Sequence, residues 1–212
     1  EGTEPCDRGG SGGGEGGPTR RRVEQLVQLR AAPGVGTRRA ADGNEGAEAG
    51  RVLMARKTGP TARARSGQNL PTLDRTHYAP ASGLAQGGYV LASSTQTPRV
   101  ILIASGSEIG LAVGAYETLT AEGIPARVVS MPSWELFEAQ PKDYRDTVLP
   151  PTVTGRVVVE AASPIGWDRY AGPSGDIIAM GGFGASAPAG QLARHFGFTP
   201  EAVLAAARRQ AG

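Results

Sequence analysis

Val100 to Ala104 reads VILIA, a continuous apolar run of strand length that suits a strand covered on both faces. The pattern then takes a helical period. Ser105 and Glu108 stand in the S-x-x-E relation of a capping box, Ile109, Val113 and Tyr116 recur on one face, and Gly123 supplies a left-handed stop. Val128 to Met131 predicts the next strand. A helix between two such strands is a parallel crossover, which sets an α/β class. Gly88 to Ala92, Val157 to Glu160 and Ile177 to Met180 predict further strands. Ser133 is placed to cap a short helix through Gln140, with Trp134 and Phe137 inward. Pro188 to Phe196 reads as a helix, and Thr199 with Pro200 opens the last one, with Val203, Leu204 and Ala207 inward.

Before residue 82 the pattern weakens. Glu1 to Thr19 is low-complexity coil. Val23 to Arg30 places Val23, Leu26 and Val27 at helical spacing and stops at Pro33 and Gly34. Asn44 to Arg56 reads as a helix, although Gly46 and Gly50 each cost about 1 kcal/mol relative to Ala. In Thr61 to Arg65, Ala62 and Ala64 alternate with Arg63 and Arg65, as in an edge strand with one wet face. All 11 aromatic residues lie at or after Tyr78, and residues 1–67 hold 15 of the 32 Gly. The first stretch therefore lacks the side chains that fill ordinary cores, and each Gly raises the entropy lost on ordering. These features predict a poorly ordered Gly/Arg-rich arm over 1–67, a linker over 68–87 and an α/β domain over 88–212.

Charge divides at the same place. Residues 1–67 carry 12 Lys and Arg against 8 Asp and Glu, a net of +4, and residues 68–212 carry 10 against 12, a net of −2. A basic Gly-rich arm can attract RNA non-specifically. Only Lys57 and Lys142 are lysines among the 22 basic residues, which fits a bias toward Arg as well as selection for a ligand, and no aromatic is interleaved to stack bases. Nucleic acid is not the expected partner. Cys6 is the one cysteine, so neither an internal disulfide nor a cysteine metal cluster is available. No apolar run has the length of a membrane span and no signal peptide is visible, so a cytoplasmic protein is expected. Glu1 in place of a Met start fits a fragment or a processed product.

Candidate sites are few. Gly12, Gly14 and Gly17 satisfy G-x-G-x-x-G, but no strand precedes them and the local Gly content accounts for the match. Asp7, Arg8 and the run Arg20, Arg21, Arg22 could hold a sugar phosphate, against the simpler reading of a solvated charge run. His77 and His195 have no carboxylate or second His at a metal spacing. Glu160, ending an apolar strand where α/β folds gather ligands, is the best candidate for a buried carboxylate. A structural role, paired with a residue such as Arg169, is the favoured reading.

Particular wordings go further than the pattern. The segment from Arg99 to Pro132, SMPSWELFEAQ (Ser130 to Gln140), YRDTVLP (Tyr144 to Pro150), GWDRYAG (Gly166 to Gly172), FGASAPAGQL (Phe183 to Leu192) and FGFT (Phe196 to Thr199) resemble, in order and spacing, the C-terminal domain of transketolase. QNLPTLDR (Gln68 to Arg75) and GGYVL (Gly87 to Leu91) carry the resemblance back to the preceding linker. It implies a three-layer α/β/α domain with a mostly parallel sheet. Upstream, GEGGPTRRRVEQLVQLRAAPG (Gly14 to Gly34) and AADGNEGAEAGRV (Ala40 to Val52) resemble, in degenerate form, part of the family's middle, pyrimidine-binding domain. Where the family loop reads G-E-D-G-P-T-H, Gly16 replaces the Asp and Arg20 the His, and Arg8 falls at an earlier His. An Arg stays protonated and cannot do the proton transfers of a His. At the family's S-R-Q-N, whose Arg binds sugar phosphate, stand Ser66, Gly67, Gln68 and Asn69.

No catalytic, cofactor-binding, substrate-binding or metal residue is therefore assigned in this chain. For the intact enzyme the resemblance implies a transferase of the pentose phosphate pathway, moving a two-carbon ketol unit between sugar phosphates with thiamine diphosphate and Mg or Ca. It also implies a homodimer, and a cofactor site in an N-terminal domain outside this sequence. The expectation is the C-terminal portion of a transketolase-like enzyme, binding no cofactor and inactive by itself. The alternative is a non-catalytic dimerisation or docking domain that completes a partner chain carrying the thiamine site.

Overall fold

Val100, Leu102 and Ala104 project to one face of a sheet and Ile101 and Ile103 to the other, and all five are fully buried. In the computed structural model, which describes residues 23–65, 70–182, 184–185 and 187–212, this run is the central strand β4 (Val100–Ala104). Its sheet contains β3 (Tyr89–Ser93), β5 (Ala126–Ser130), β6 (Arg156–Glu160) and β7 (Asp176–Ala179), in the order β3-β5-β4-β6-β7. β3 runs antiparallel to β5, and the other pairs are parallel.

Helices cover both faces. On one side α3 (Ile109–Ala121) and α8 (Pro200–Ala211) pack Ile109, Ala112, Leu119, Val203 and Ala207 against Leu102, Val128 and Val157. Gly123 ends the α3 region at φ +75, and the Thr199 hydroxyl accepts the Ala202 N–H at 3.2 Å to cap α8, both as the sequence predicts. On the other side lie α4 (Trp134–Glu138), α5 (Lys142–Val148) and α6 (Asp168–Ala171). They bury Trp134, Phe137, Val148, Trp167 and Tyr170 against Ile101, Ile103 and Val158. The Trp134 and Trp167 rings meet edge-on at 4.9 Å. The three-layer α/β/α arrangement with a mostly parallel sheet is the predicted one. The short helices α5 and α6 were not anticipated, having too few turns to show a period. A last amphipathic helix, α7 (Ala189–Phe196), ends at Gly197 in the left-handed conformation.

Residues 23–65, where composition predicts poor order, form four elements: α1 (Gln25–Ala31), β1 (Gly36–Arg39), α2 (Gly43–Ala55) and β2 (Thr61–Ala64). β1 and β2 form a separate two-stranded parallel sheet. β1 reads GTRR and has no apolar alternation, yet Thr37 and Arg38 are buried in it. This order comes from polar contacts with the larger sheet, which composition does not register. Ala41 is the one residue of 23–65 in either main apolar core cluster, with half-buried Val23 packed against it.

Candidate functional site

The chain leaves β4 toward β5 on one side, then returns to lay β6 on the other side of β4. The strand order reverses between β4 and β6, and in open α/β sheets the crevice beyond the carboxyl ends at such a point is where ligands collect. Here Ser105 follows β4, Glu160 ends β6 and Glu108 lies in the turn before α3; all three are buried. Their occupant comes from the same chain. Arg39, the last residue of β1, inserts its guanidinium, and Nη1 donates to the Ser105 carbonyl at 2.6 Å, to Ser105 Oγ at 3.2 Å and to Glu108. The same nitrogen lies 3.2 Å from Glu160 Oε1, an ion pair. Burial opposes the charge on Arg39, but Glu108 and Glu160 outweigh it and hold the group above its ordinary value.

Arg30 of α1 adds a second cation, its Nη2 3.8 Å from Glu160 Oε2. Its guanidinium carbon lies 4.0 Å from the Trp134 ring centre and 5.3 Å from that of Trp167. Burial pulls Arg30 below the ordinary guanidinium value, with Glu160 opposing and Arg39 reinforcing the shift. The two arginines shift in opposite directions because Arg39 touches two carboxylates closely while Arg30 shares one at longer range.

Adjacent side chains of a strand point to opposite sides, so Arg38 leaves β1 the other way and grips the start of α4. It donates to Ser133 Oγ at 2.7 Å and pairs with Glu135, which also accepts the Thr37 N–H at 2.7 Å. Farther along, Asp42 caps α2 by accepting the Glu45 N–H at 2.8 Å, and its carboxylate takes both contacts from Arg75 Nη2 at 2.9 and 3.0 Å. Glu45, fully buried, accepts from Tyr89 and Ser130 hydroxyls at 2.7 Å each and from the Ala41 N–H at 2.8 Å. Burial pushes its carboxyl up, against the pull of these three hydrogen bonds.

Two predicted caps are overturned by this network. Ser105 makes no cap hydrogen bond; its Oγ donates to Glu160 Oε2 at 2.6 Å, and Glu108 turns to Arg39. Ser133 likewise makes no cap bond and accepts from Arg38 instead. Each Ser does stand at a helix start, but a buried guanidinium competes successfully for its oxygen. Glu160 pairs with Arg39 and Arg30 and not with Arg169, which lies over the rings of Trp134 and Tyr170.

The remaining candidates do not join this cluster. His77 is exposed in a turn, its Nδ1 3.0 Å from Asp74 Oδ2, and His195 stacks edge-on against Phe196 at 4.7 Å. The Thr76 backbone N–H, followed by the Thr76 hydroxyl and His77, lowers Asp74 to about 2. Cys6, Asp7, Arg8, Gly12, Gly14, Gly16, Gly17, Arg20, Arg21 and Arg22 lie outside the described residues, as do Ser66 to Asn69. Among the described residues, no group of three or more His, Cys, Asp or Glu could hold a metal ion, and no helix is long and apolar enough to cross a membrane. Glu108, Glu160, Glu135 and Asp42 each pair with a guanidinium, whereas Glu45 is held by two hydroxyls and a backbone N–H, so the network binds and positions its own chain.

The comparisons agree with the wording of the sequence. A family model described as the transketolase-like C-terminal domain matches residues 87–199. The chain belongs to this family. It is 48% identical to the transketolase of Halalkalibacterium halodurans over 195 residues, 92% of this chain and 29% of that protein. For the transketolase of Geobacillus stearothermophilus the identity is 47%, over 90% of this chain and 29% of that protein. Among solved structures, transketolase from Leishmania mexicana superposes with a TM-score of 0.81 at 38% identity, over 92% of this chain and 28% of that one. A Pichia stipitis transketolase in complex with sedoheptulose-7-phosphate gives 0.82 at 35% identity, with the same coverage. A split-gene transketolase described as an inactive β4 tetramer shares the fold at a TM-score of 0.66 and 24% identity. The transketolase-like chain thus spans under a third of the curated relatives it matches.

Proposed function

We propose that the chain is the C-terminal portion of a transketolase-type enzyme, which moves a two-carbon ketol unit between sugar phosphates, and that the portion supports the chemistry without performing it. The observation that carries this reading is high identity over nine-tenths of the chain to proteins more than three times its length. The proposed layout is a middle-domain remnant over 1–67, a linker over 68–87 and the C-terminal domain over 88–212. A cytoplasmic setting and a homodimer belong to the same reading.

The β1–β2 pair supports it independently. Parallel sheets are normally larger and covered on both faces, and two strands alone are marginal. Among the described residues β1 and β2 pair only with each other, as in one end of a wider sheet.

Thiamine diphosphate and its metal do not fit the described residues. The concentrated polar site at the β4 and β6 ends is built of carboxylates, which repel a diphosphate, and its cations are already engaged. No catalytic step is therefore assigned to this chain.

A second reading, a non-catalytic domain that completes a partner chain bearing the thiamine site, is favoured by the same open β1–β2 pair. Two measurements test the readings. Purified chain given thiamine diphosphate, magnesium and sugar phosphates is expected to show no ketol transfer, and turnover at transketolase-like rates would overturn both. The N-terminal part of the Halalkalibacterium halodurans transketolase, expressed separately and mixed with this chain, tests the partner reading. A stable complex on size exclusion supports it, and separate elution rejects it.

A further inference from the structure

Four oxygens converge on one nitrogen at the β4–β6 crevice. The Ser105 carbonyl, Ser105 Oγ, Glu108 Oε2 and Glu160 Oε1 all face Nη1 of Arg39. The Arg39 side chain passes close over Gly106, where an added Cβ would stand 2.8 Å from Arg39 Cζ and 2.9 Å from Cγ and Nε. Gly106 holds φ +59, so both its conformation and its bareness serve this approach. We propose that the switch-point crevice is a guanidinium-binding site, filled in cis by Arg39, and that this recognition latches residues 23–65 onto the large sheet.

The chemistry selects guanidinium over other cations. A buried pair of carboxylates demands a permanent charge, which Arg supplies at any physiological pH. The missing side chain at Gly106 leaves the room that Arg39 Cζ and Nε occupy. A Lys at position 39 would carry the same charge, yet its ammonium ends one bond short of the four oxygens. Apolar packing adds little to the latch, since residues 23–65 place Ala41 in the core clusters with only half-buried Val23 against it. The crevice rests on geometry alone and does not depend on the enzymatic reading above.

Chemical rescue of an Arg39→Ala chain tests the proposal. Both tryptophans of the protein, Trp134 and Trp167, face Arg30 of the latched segment, so intrinsic fluorescence reports docking alongside thermal melting. The variant is expected to melt lower and to shift its tryptophan emission toward that of exposed indole. Millimolar methylguanidinium is expected to recover at least half of both changes in the variant and to leave the wild type unmoved. Ammonium or sodium chloride at matched ionic strength is expected to recover neither. An unchanged melting temperature in Arg39→Ala, no rescue, or equal rescue by ammonium overturns the site. If Arg39→Ala does not fold, Arg39→Lys decides: a loss of the docked fluorescence supports guanidinium recognition, and wild-type behaviour rejects it.

Discussion

Gly106 and Gly123 both adopt the left-handed conformation, at φ +59 and +75, but only Gly106 has a neighbour against its Cα. Gly123→Ala meets open space and is expected to cost about 1 kcal/mol, the conformational term alone. Gly106→Ala adds displacement of a buried guanidinium from two carboxylates and is expected to cost about 2–4 kcal/mol. Urea midpoints with unchanged slopes would measure both, and equal losses would show that Arg39 does not depend on the bare Cα. At this scale the sequence was legible in its motifs and misleading in their use. Ser105, Glu108 and Ser133 announce helix starts, and the starts are there. Their side chains are diverted by Arg39 and Arg38, residues 66 to 95 positions away, and no local pattern encodes such a distance. Glu160 was visible as a buried carboxylate because an apolar strand precedes it, whereas its partners Arg30 and Arg39 lie far upstream in α1 and β1, and no pattern links them to it.

The elements divide according to what stabilises them. β4 and β6 owe their order to apolar side chains buried on both sides, and α3 to one buried apolar face, so their sequence pattern and their structure coincide. β1 owes its order to β2, to the Pro132 carbonyl that accepts the Arg39 N–H at 2.9 Å, and to Glu135, none of which a reading of GTRR contains. Helix capping makes the contrast measurable. The Thr199 cap of α8 satisfies one backbone N–H, and Thr199→Ala is expected to cost about 1 kcal/mol. The Asp42 cap of α2 also accepts the Leu73 N–H at 3.1 Å and neutralises Arg75. Asp42→Ala would leave that guanidinium half-buried and unpaired, so a larger loss of about 2–4 kcal/mol is expected. Asp42→Asn, which retains the cap and one acceptor but drops the charge, should fall between them. Calorimetric melting of the three variants tests the order, and an Asp42→Ala loss no larger than that of Thr199→Ala would confine Asp42 to simple capping.

For the whole molecule, the consequence is uneven stability. Local opening follows the apolar contacts that must be broken, and the most protected amides belong to elements with the largest buried cores. β4 lies at the centre of the large sheet with both faces covered, while β1 and β2 are held by guanidinium and carboxylate contacts and one shared ladder. Ion pairs of this kind offset their own desolvation and contribute little net stability, though breaking one partner is costly. Native-state hydrogen exchange should therefore show the amides of β1 and β2 opening together, at a free energy at least about 2 kcal/mol below that of β4 and β6. The Arg39 amide and the Leu102 amide make the decisive pair. Equal exchange free energies and equal denaturant dependence would mean that the polar seam and the apolar core unfold as one unit. A gap that closes on adding the separately expressed N-terminal part of a transketolase would tie the low stability of β1 and β2 to their open edges. A gap that persists in the complex would assign it to the polar seam itself, where charge holds the segment in register and supplies little of the folding free energy.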